Sequence, residues 1–427
     1  MTHGLETRVS RLSAAVLAAL ALVLLPLWNC AQAQQEPIRI GFGMALTGGL
    51  AANGKSALVA MQLWESDINA KGGLLGRPVK LVFYADQSSP STVPGIYTKL
   101  LDVDKVELVV GGYATNMLAP AMPVVMQHNK VFIGLLGLGV NSTFNYPRYF
   151  SMTATGGPDP KISISKGFFE AAMAQNPKPQ TIAIAAADAE FSARAAEGAR
   201  EQAKAAGLKI VYDKSYPPTT TDYTPIVRAI QATSPDIVFV GSYPPDSVGM
   251  IRAANEIDLK TKIFGGGMVG LQATVIKAQL GPMLNGILNY DFWLPVPKMH
   301  FEGVDDLIKR YQEKAAGQGI DPLGYYMAPW AYGYLQVLAE AVEATKSLDD
   351  AKLADYIGKS TFKTVIGDIK FGSNGELAES RVVTVQFHDV KGSDPEQFRE
   401  MGTQTLIAPA EFASGKLVYP YTEARQQ

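Results

Sequence analysis

Two glycine-bearing stretches carry residue types suited to holding a small anion. Leu46-Thr47-Gly48-Gly49 follows one apolar run, and Gly111-Gly112-Tyr113-Ala114-Thr115-Asn116 follows another. Each leads straight into a helical pattern. Backbone N–H groups at a helix start, aided by a threonine hydroxyl, make a natural carboxylate seat. Simple N-capping by Thr47 or Thr115 accounts for the same residues, and the sequence leaves both readings open. Catalytic patterns are sparse: there is no GxSxG elbow and no HExxH pair. Gly41-Phe42-Gly43 fails as a dinucleotide fingerprint at its third glycine, and Gly137-Leu138-Gly139 fails likewise at Ser142. The histidines His3, His128, His300 and His388 are far apart and lack ligand spacing. An exported hydrolase using Asp188 or Glu190 as a general base would have neither nucleophile nor metal set. The expectation is a non-enzyme with no cofactor, no metal and no catalytic residue.

The elements that must position those loops alternate along the chain. Ile38–Met44 reads as a strand, and Ala57, Met61, Trp64 and Ile68 then recur at helical spacing up to Gly72-Gly73. Strands Val79–Ala85, Leu108–Val110 and Val131–Ile133 follow, with helices over Val93–Asp102 and Met117–Gln127 between them. After Gly156-Gly157-Pro158 the rhythm restarts. Strands are expected at Thr181–Ala186, Leu208–Tyr212, Asp236–Val240 and Thr261–Phe264. Helices are expected at Lys161–Ala174, Ala193–Ala206, Tyr223–Ala232 and Ser247–Asn255. Continuous apolar strands alternating with helices predict α/β halves, each with a parallel sheet covered on both faces. Beyond Leu284–Asp291 the pattern gives way to a connector over Phe292–Pro297, long helices at Val304–Ala315 and Pro329–Thr345, and a late strand at Val382–Phe387. Two similar lobes with extra helical material imply repeated crossings, and so a hinge beside a cleft.

Composition fits this picture. Of 427 residues 47% are hydrophobic and 18% charged, which excludes a mainly disordered or coiled-coil chain. A net charge of −2 gives nucleic acid no basic face. Residues 1–33 read as a signal peptide: Arg8 and Arg11, an uncharged run from Ala14 to Trp28, then Ala31-Gln32-Ala33 as the cleavage site. Trp28 and Asn29 ahead of Cys30 disfavour lipoprotein cleavage there. Removing Arg8, Arg11 and Glu6 leaves 36 basic and 39 acidic residues, a net charge of −3, and Cys30, the one cysteine, departs as well. The mature chain must be held by its cores alone.

The ordered set of loops and turns resembles the periplasmic solute-binding proteins of ABC importers, in the leucine/isoleucine/valine-binding group. Its carriers are Ile38–Met44 with Leu46-Thr47-Gly48, then Asp67–Pro78 (DINAKGGLLGRP), Asp86–Pro90, Thr221–Thr224 and Asp236–Tyr243. The resemblance spans nearly all of residues 36–390. It implies an α/β, type I periplasmic-binding fold: two doubly wound parallel-sheet lobes joined by a three-crossover hinge. The lobes would be 36–155 plus 290–375 (N-terminal) and 156–289 plus 376–427 (C-terminal). It also implies a monomer in the periplasm that closes on a small molecule and delivers it to an inner-membrane ABC permease, without catalysis and without nucleic acid.

Carried over by position, the resemblance implies a ligand site of Leu46, Thr47, Asn53, Tyr113, Thr115, Leu136, Gly137, Leu138, Phe191, Tyr243 and Met268. Thr115 falls where the family places a serine on the ligand carboxylate. Leu136-Gly137-Leu138 replaces two alanines and a threonine, Asn53 replaces an aromatic lid residue, and Phe191 replaces a tyrosine, while Tyr243 matches one. Met268 stands where the family has the glutamate that pairs with the ligand ammonium. Losing one partner of a buried ion pair costs about 3–5 kcal/mol. The expected cargo is therefore a small organic acid, most plausibly an aromatic carboxylate. A branched-chain or other amino acid remains the alternative, with Asp188, Glu190 or Asp246 supplying the acid, since Gly265-Gly266-Gly267 permits a slip at Met268. A ligand-presenting sensor protein is a further alternative. The cluster Tyr325, Tyr326, Trp330, Tyr332 and Tyr334 is assigned to the core, because Trp330 and Tyr334 have core helical spacing.

Overall fold

In the first half, a run of buried apolar residues from Ile38 to Met44 (β1) pairs in parallel with Val79–Ala85 (β2) on one side and Leu108–Val109 (β3) on the other. The computed structural model describes residues 35–426; the expected signal peptide and its cleavage site lie outside them. Phe132–Leu135 (β4) pairs in parallel with Tyr149–Met152 (β5). The Gly111 and Ala114 amides bond to Ile133 and Leu135 carbonyls, which joins β4 to the β3 edge. The resulting order is β2-β1-β3-β4-β5. Around it lie α1 (Ala51–Ala70), α2 (Val93–Thr98, continued as a wider turn over Lys99–Val103), α3 (Thr115–Gln127) and the short α4 (Asn141–Phe144).

The second half repeats the plan. A sheet of seven strands has the order β14-β13-β10-β9-β8-β6-β7. Its members are β6 (Thr181–Ala187), β7 (Lys209–Tyr216), β8 (Ile237–Ser242), β9 (Ile263–Met268), β10 (Leu288–Asp291), β13 (Val383–Phe387) and β14 (Gln404–Ala408). From β6 to β10 all pairings are parallel, while β13 and β14 add on antiparallel. Helices α5 (Pro160–Met173), α6 (Glu190–Ala205), α7 (Thr224–Ala232), α8 (Pro244–Glu256) and α9 (Thr274–Leu280) cover it. In both sheets the strand order reverses beside the first strand, between β1 and β3 and between β6 and β8. Such reversal points leave a crevice at the carboxyl ends of the strands.

The later helices α10 (Val304–Ala315), α11 (Ala328–Thr345) and α12 (Asp350–Lys359) return to the first half. Arg310 grips Asp67 of α1 with two nitrogens, at 2.7 and 2.9 Å, and Tyr332 donates its hydroxyl to the same carboxylate at 2.7 Å. A hairpin of β11 (Thr361–Thr364) and β12 (Gly367–Lys370) follows, and α13 (Tyr421–Ala424) ends the described chain. No described helix is long and apolar enough to cross a membrane. Trp330 and Tyr334 are fully buried core residues, as their spacing predicts.

Candidate ligand-binding site

The cavity between the two sheets is built almost wholly from residues that follow a strand. Tyr113, Ala114 and Thr115 come after β3, Leu136 and Leu138 after β4, and Thr153 and Thr155 after β5. From the other sheet, Phe191 follows β6, Tyr243 follows β8, Val269 follows β9 and Phe292 follows β10. Tyr326, just ahead of α11, completes the lining. Carboxyl ends of both sheets thus face one space, as the reversal of strand order requires.

Backbone conformation at the first sheet's edge is unusual. Ala114 has φ 84° and Leu136 has φ 54°, both in the region that side-chain-bearing residues seldom adopt. Such conformations cost about 1–3 kcal/mol and persist where surrounding structure holds them, often at binding sites. Here they aim the start of α3 and the Leu136–Leu138 turn at the same point. Leu138 donates its N–H to Thr115 Oγ1 at 3.0 Å. That oxygen is occupied as an acceptor, so the hydroxyl hydrogen of Thr115 is free to donate into the cavity.

A second helix start approaches from the other sheet. The Tyr243 hydroxyl lies near the backbone N–H groups of both Phe191, in α6, and Asn116, in α3. It makes no well-formed hydrogen bond and is buried. The starts of α3 and α6 therefore converge on one buried spot, where oriented N–H groups favour negative charge. Thr155 Oγ1 is a further buried oxygen in the lining without a partner. Unpaired polar groups of this kind are costly unless something else satisfies them.

The rest of the wall is aromatic. Tyr113 meets Tyr326 edge-on at 6.4 Å, Tyr326 stacks on Phe292 at 5.6 Å, and Phe292 leans on Tyr290 at 5.0 Å. Phe191 continues the arc from Tyr290 at 6.3 Å to Tyr243 at 5.8 Å. Burial pushes the hydroxyls of Tyr243, Tyr290 and Tyr326 well above the ordinary phenol range, so they stay neutral. No Asp, Glu, Lys, Arg or His is in the lining. The rings close on a space of about 10 Å³, room for about one water. An organic ligand enters only if the two sheets part or the rings turn.

Of the residues expected from sequence, the structure brings Tyr113, Thr115, Leu136, Leu138, Phe191 and Tyr243 together around this cavity. Gly137 sits just behind it, its carbonyl accepting from Ser151 at 3.1 Å and Thr153 at 3.3 Å. Asn53 is buried in α1 and holds the Tyr113 hydroxyl at 2.8 Å instead of lining the space. Leu46 and Thr47 lie outside it, in the loop whose Gly49 backs onto the Pro245 ring. Met268 is the last residue of β9, fixed opposite Ser242, and its backbone bonds both ways with the Asn289 side chain. Its side chain is buried away from the lining, and Val269 takes the facing position.

None of the three candidate replacement acids lines the cavity. Asp188 and Glu190 are exposed, and Glu190 lies 3.5 Å from Arg194. Asp246 is buried but accepts the Tyr216 hydroxyl at 2.7 Å, and burial raises its carboxyl to about 6.

Ala114, Thr153, Thr155, Val269 and Phe292 were not among the expected site residues, and Tyr326, expected in the core with Trp330, lines the cavity instead. The rule that ligands sit beyond strand ends marks Phe292 and Val269. β5, the strand that delivers Thr153 and Thr155, has only four residues and gives little signal. Tyr326 lies two residues before α11, so the helical spacing that places Trp330 in the core does not apply to it.

A larger cavity of about 450 Å³ opens on the flank, among Asn141, Lys161 and Asn374. It is polar and away from most of the strand ends. Buried Glu376 faces it with both oxygens unpaired, and burial raises that carboxyl to about 8.

The model of the periplasmic binding protein family matches residues 37–392. The chain belongs to the periplasmic binding protein family. It is 25% identical over 358 residues to the Leu/Ile/Val-binding protein homolog 2 of Brucella abortus, covering 84% of this chain and 91% of that one. Among solved structures, the fold is similar to an R. palustris ABC-transporter solute binding protein in complex with 4-hydroxybenzoate, with TM-score 0.70 and 17% identity, covering 84% and 95% of the two chains. It is also similar to the branched-chain amino acid transporter substrate binding protein of Streptococcus pneumoniae in complex with isoleucine, with TM-score 0.70 and 17% identity, covering 88% and 100%. These periplasmic binding proteins are solute binders and not enzymes, and their type I fold is the fold described above.

Proposed function

We propose that this periplasmic binding protein is the solute-capturing component of an ABC importer and that its cargo is a small aromatic carboxylate. The observation that carries the choice of cargo is the lining itself, which contains no carboxylate. An α-amino acid brings an ammonium that would be stripped of water with no anion to meet it, at a cost of about 3–5 kcal/mol. A carboxylate instead meets the Thr115 hydroxyl and the amides at the starts of α3 and α6. The arc from Tyr113 to Tyr243 offers flat apolar surface for a ring. The R. palustris protein solved with 4-hydroxybenzoate shows that a protein of similar fold takes such an acid. The equally similar Streptococcus pneumoniae protein solved with isoleucine shows that the fold also takes an amino acid, so the choice rests on the lining.

The names of the curated relatives favour a second reading, an amino acid cargo. It would require Asp246 to leave the Tyr216 hydroxyl and turn toward the cavity. In either case the chain is exported with cleavage after Ala33, acts as a monomer and hands its cargo to an inner-membrane permease. The proposed lobes are 36–155 plus 290–375 and 156–289 plus 376–427, and since β10 pairs in the second sheet through Asp291, the first return crossing falls two residues beyond that bound. Mass spectrometry of ligand released from the purified protein tests the cargo. An aromatic acid is the expected species, and a branched-chain amino acid would overturn the assignment.

A further inference from the structure

Behind Phe292 lies a second cavity of about 150 Å³ that shares this ring with the cleft. Its walls come from the two connectors after β10 and leading into β13, together with the turn after β14, Trp330 of α11 and Ile366 of the β11–β12 turn. An apolar cavity of this size accommodates a benzene ring. Phe292, Trp293, Phe301, Trp330 and Phe412 supply aromatic surface. The Trp330 indole N–H, on a side chain 1% exposed, has no hydrogen-bond partner. Two cations, Lys298 and Arg381, reach the same space. Their hydrogen bonds go to backbone carbonyls, those of Glu411 for Lys298 and of Ile366 and Asp368 for Arg381, and Lys298 Nζ also lies 5.3 Å from the centre of the Phe412 ring. Neither forms an ion pair with any described residue. Asp368 and Glu379 act on Arg381 from a distance, and Glu411 stands exposed at the rim.

We propose that this hinge cavity is a second binding site, for a ring-bearing monocarboxylate: the ring lies among the tryptophans and the anion is held by Arg381, Lys298 and the Trp330 N–H. An unpaired buried donor and two cations without anions are the features such a ligand would satisfy. An occupant would touch both connecting segments, so it would favour the arrangement of the halves in which the cavity exists, and the cleft ligand would favour its binding in return. The site stands on its own residues, whichever cargo the cleft takes.

Fluorine NMR of 4-fluorobenzoate with the full mature chain tests it. Leu138→Trp fills the cleft, and Ser380→Trp fills the hinge cavity. Saturable binding that survives Leu138→Trp and disappears when Ser380→Trp is added to Leu138→Trp is expected. Trp330→Phe keeps the ring and removes only the donor, and it should weaken the surviving binding about tenfold. The folded state of each variant is checked by its melting curve, and the Trp330→Phe comparison stands if Ser380→Trp does not fold. Absence of saturable binding in Leu138→Trp, or binding there indifferent to Trp330→Phe, would overturn the second site.

Discussion

Leu138 gives its backbone N–H to Thr115 Oγ1 at 3.0 Å, tying the turn after β4 to the first residue of α3. The bond takes up one lone pair of the Thr115 oxygen and leaves the hydroxyl hydrogen available to a ligand. Thr115→Val should lower affinity for an aromatic acid by about 10- to 100-fold, the worth of a hydrogen bond to a charged acceptor. Thr115→Ser should retain most of it. Isothermal titration of both variants with 4-hydroxybenzoate is the check.

Val269, not Met268, faces the cavity. Val269→Glu should therefore supply the missing anion, raising leucine affinity at least about tenfold and lowering that for aromatic acids by a similar factor. Met268→Glu would bury a charge behind the wall, lowering the melting temperature without gain of leucine binding. Titration and thermal melting of the two variants separate these outcomes.

Arg194 of α6 reaches the first half, donating to Ser142 Oγ at 3.0 Å and Thr143 Oγ1 at 2.9 Å. It lies outside the cleft lining, and its bonds tie the two halves together. Arg194→Ala should weaken ligand binding by about 2- to 10-fold through the closed state alone, the scale of one ordinary hydrogen bond. Small-angle scattering should record a larger radius of gyration for the unliganded variant than for the parent.

Glu376 keeps its proton to about pH 8 in the folded protein, held up by burial, with Tyr149 and Arg194 nearby. Unfolded, it loses that proton near 4.5. Between these values the native state binds more protons than the unfolded state, so this group makes stability fall as pH rises from about 4.5 to 8. Glu376→Gln should flatten that fall, by no more than about 1.4 kcal/mol per pH unit. Urea unfolding across that range measures it.

Much of the scaffold is legible in sequence because its strands are continuous apolar runs, such as Ile38–Met44 and Ile237–Ser242, set between helices. The hairpin of Thr361–Thr364 and Gly367–Lys370 and the strand Gln404–Ala408 are short edge or surface pieces, and they leave no comparable pattern. At the site, the glycine-bearing loop after β3 made Thr115 readable, while Phe191 and Tyr243 came from position in the resembled family. Asn53 was placed by position in the family, but its side chain turns inward to Tyr113. Met268 and Val269 differ by one residue, and three preceding glycines carry no side-chain pattern from which sequence could fix the register. Only the pairing of Gly267 with Gly241 and of Met268 with Ser242 fixes it.

A cleft lined by hydroxyls, amides and rings, and by no acid, should select a carboxylate that carries no amine. Side-by-side calorimetric titration of the ligand-free protein with 4-hydroxybenzoate and with leucine tests it most directly. Saturable one-to-one heat with the aromatic acid and none with leucine is expected; tight leucine binding with no response to the aromatic acid would overturn the proposed selectivity.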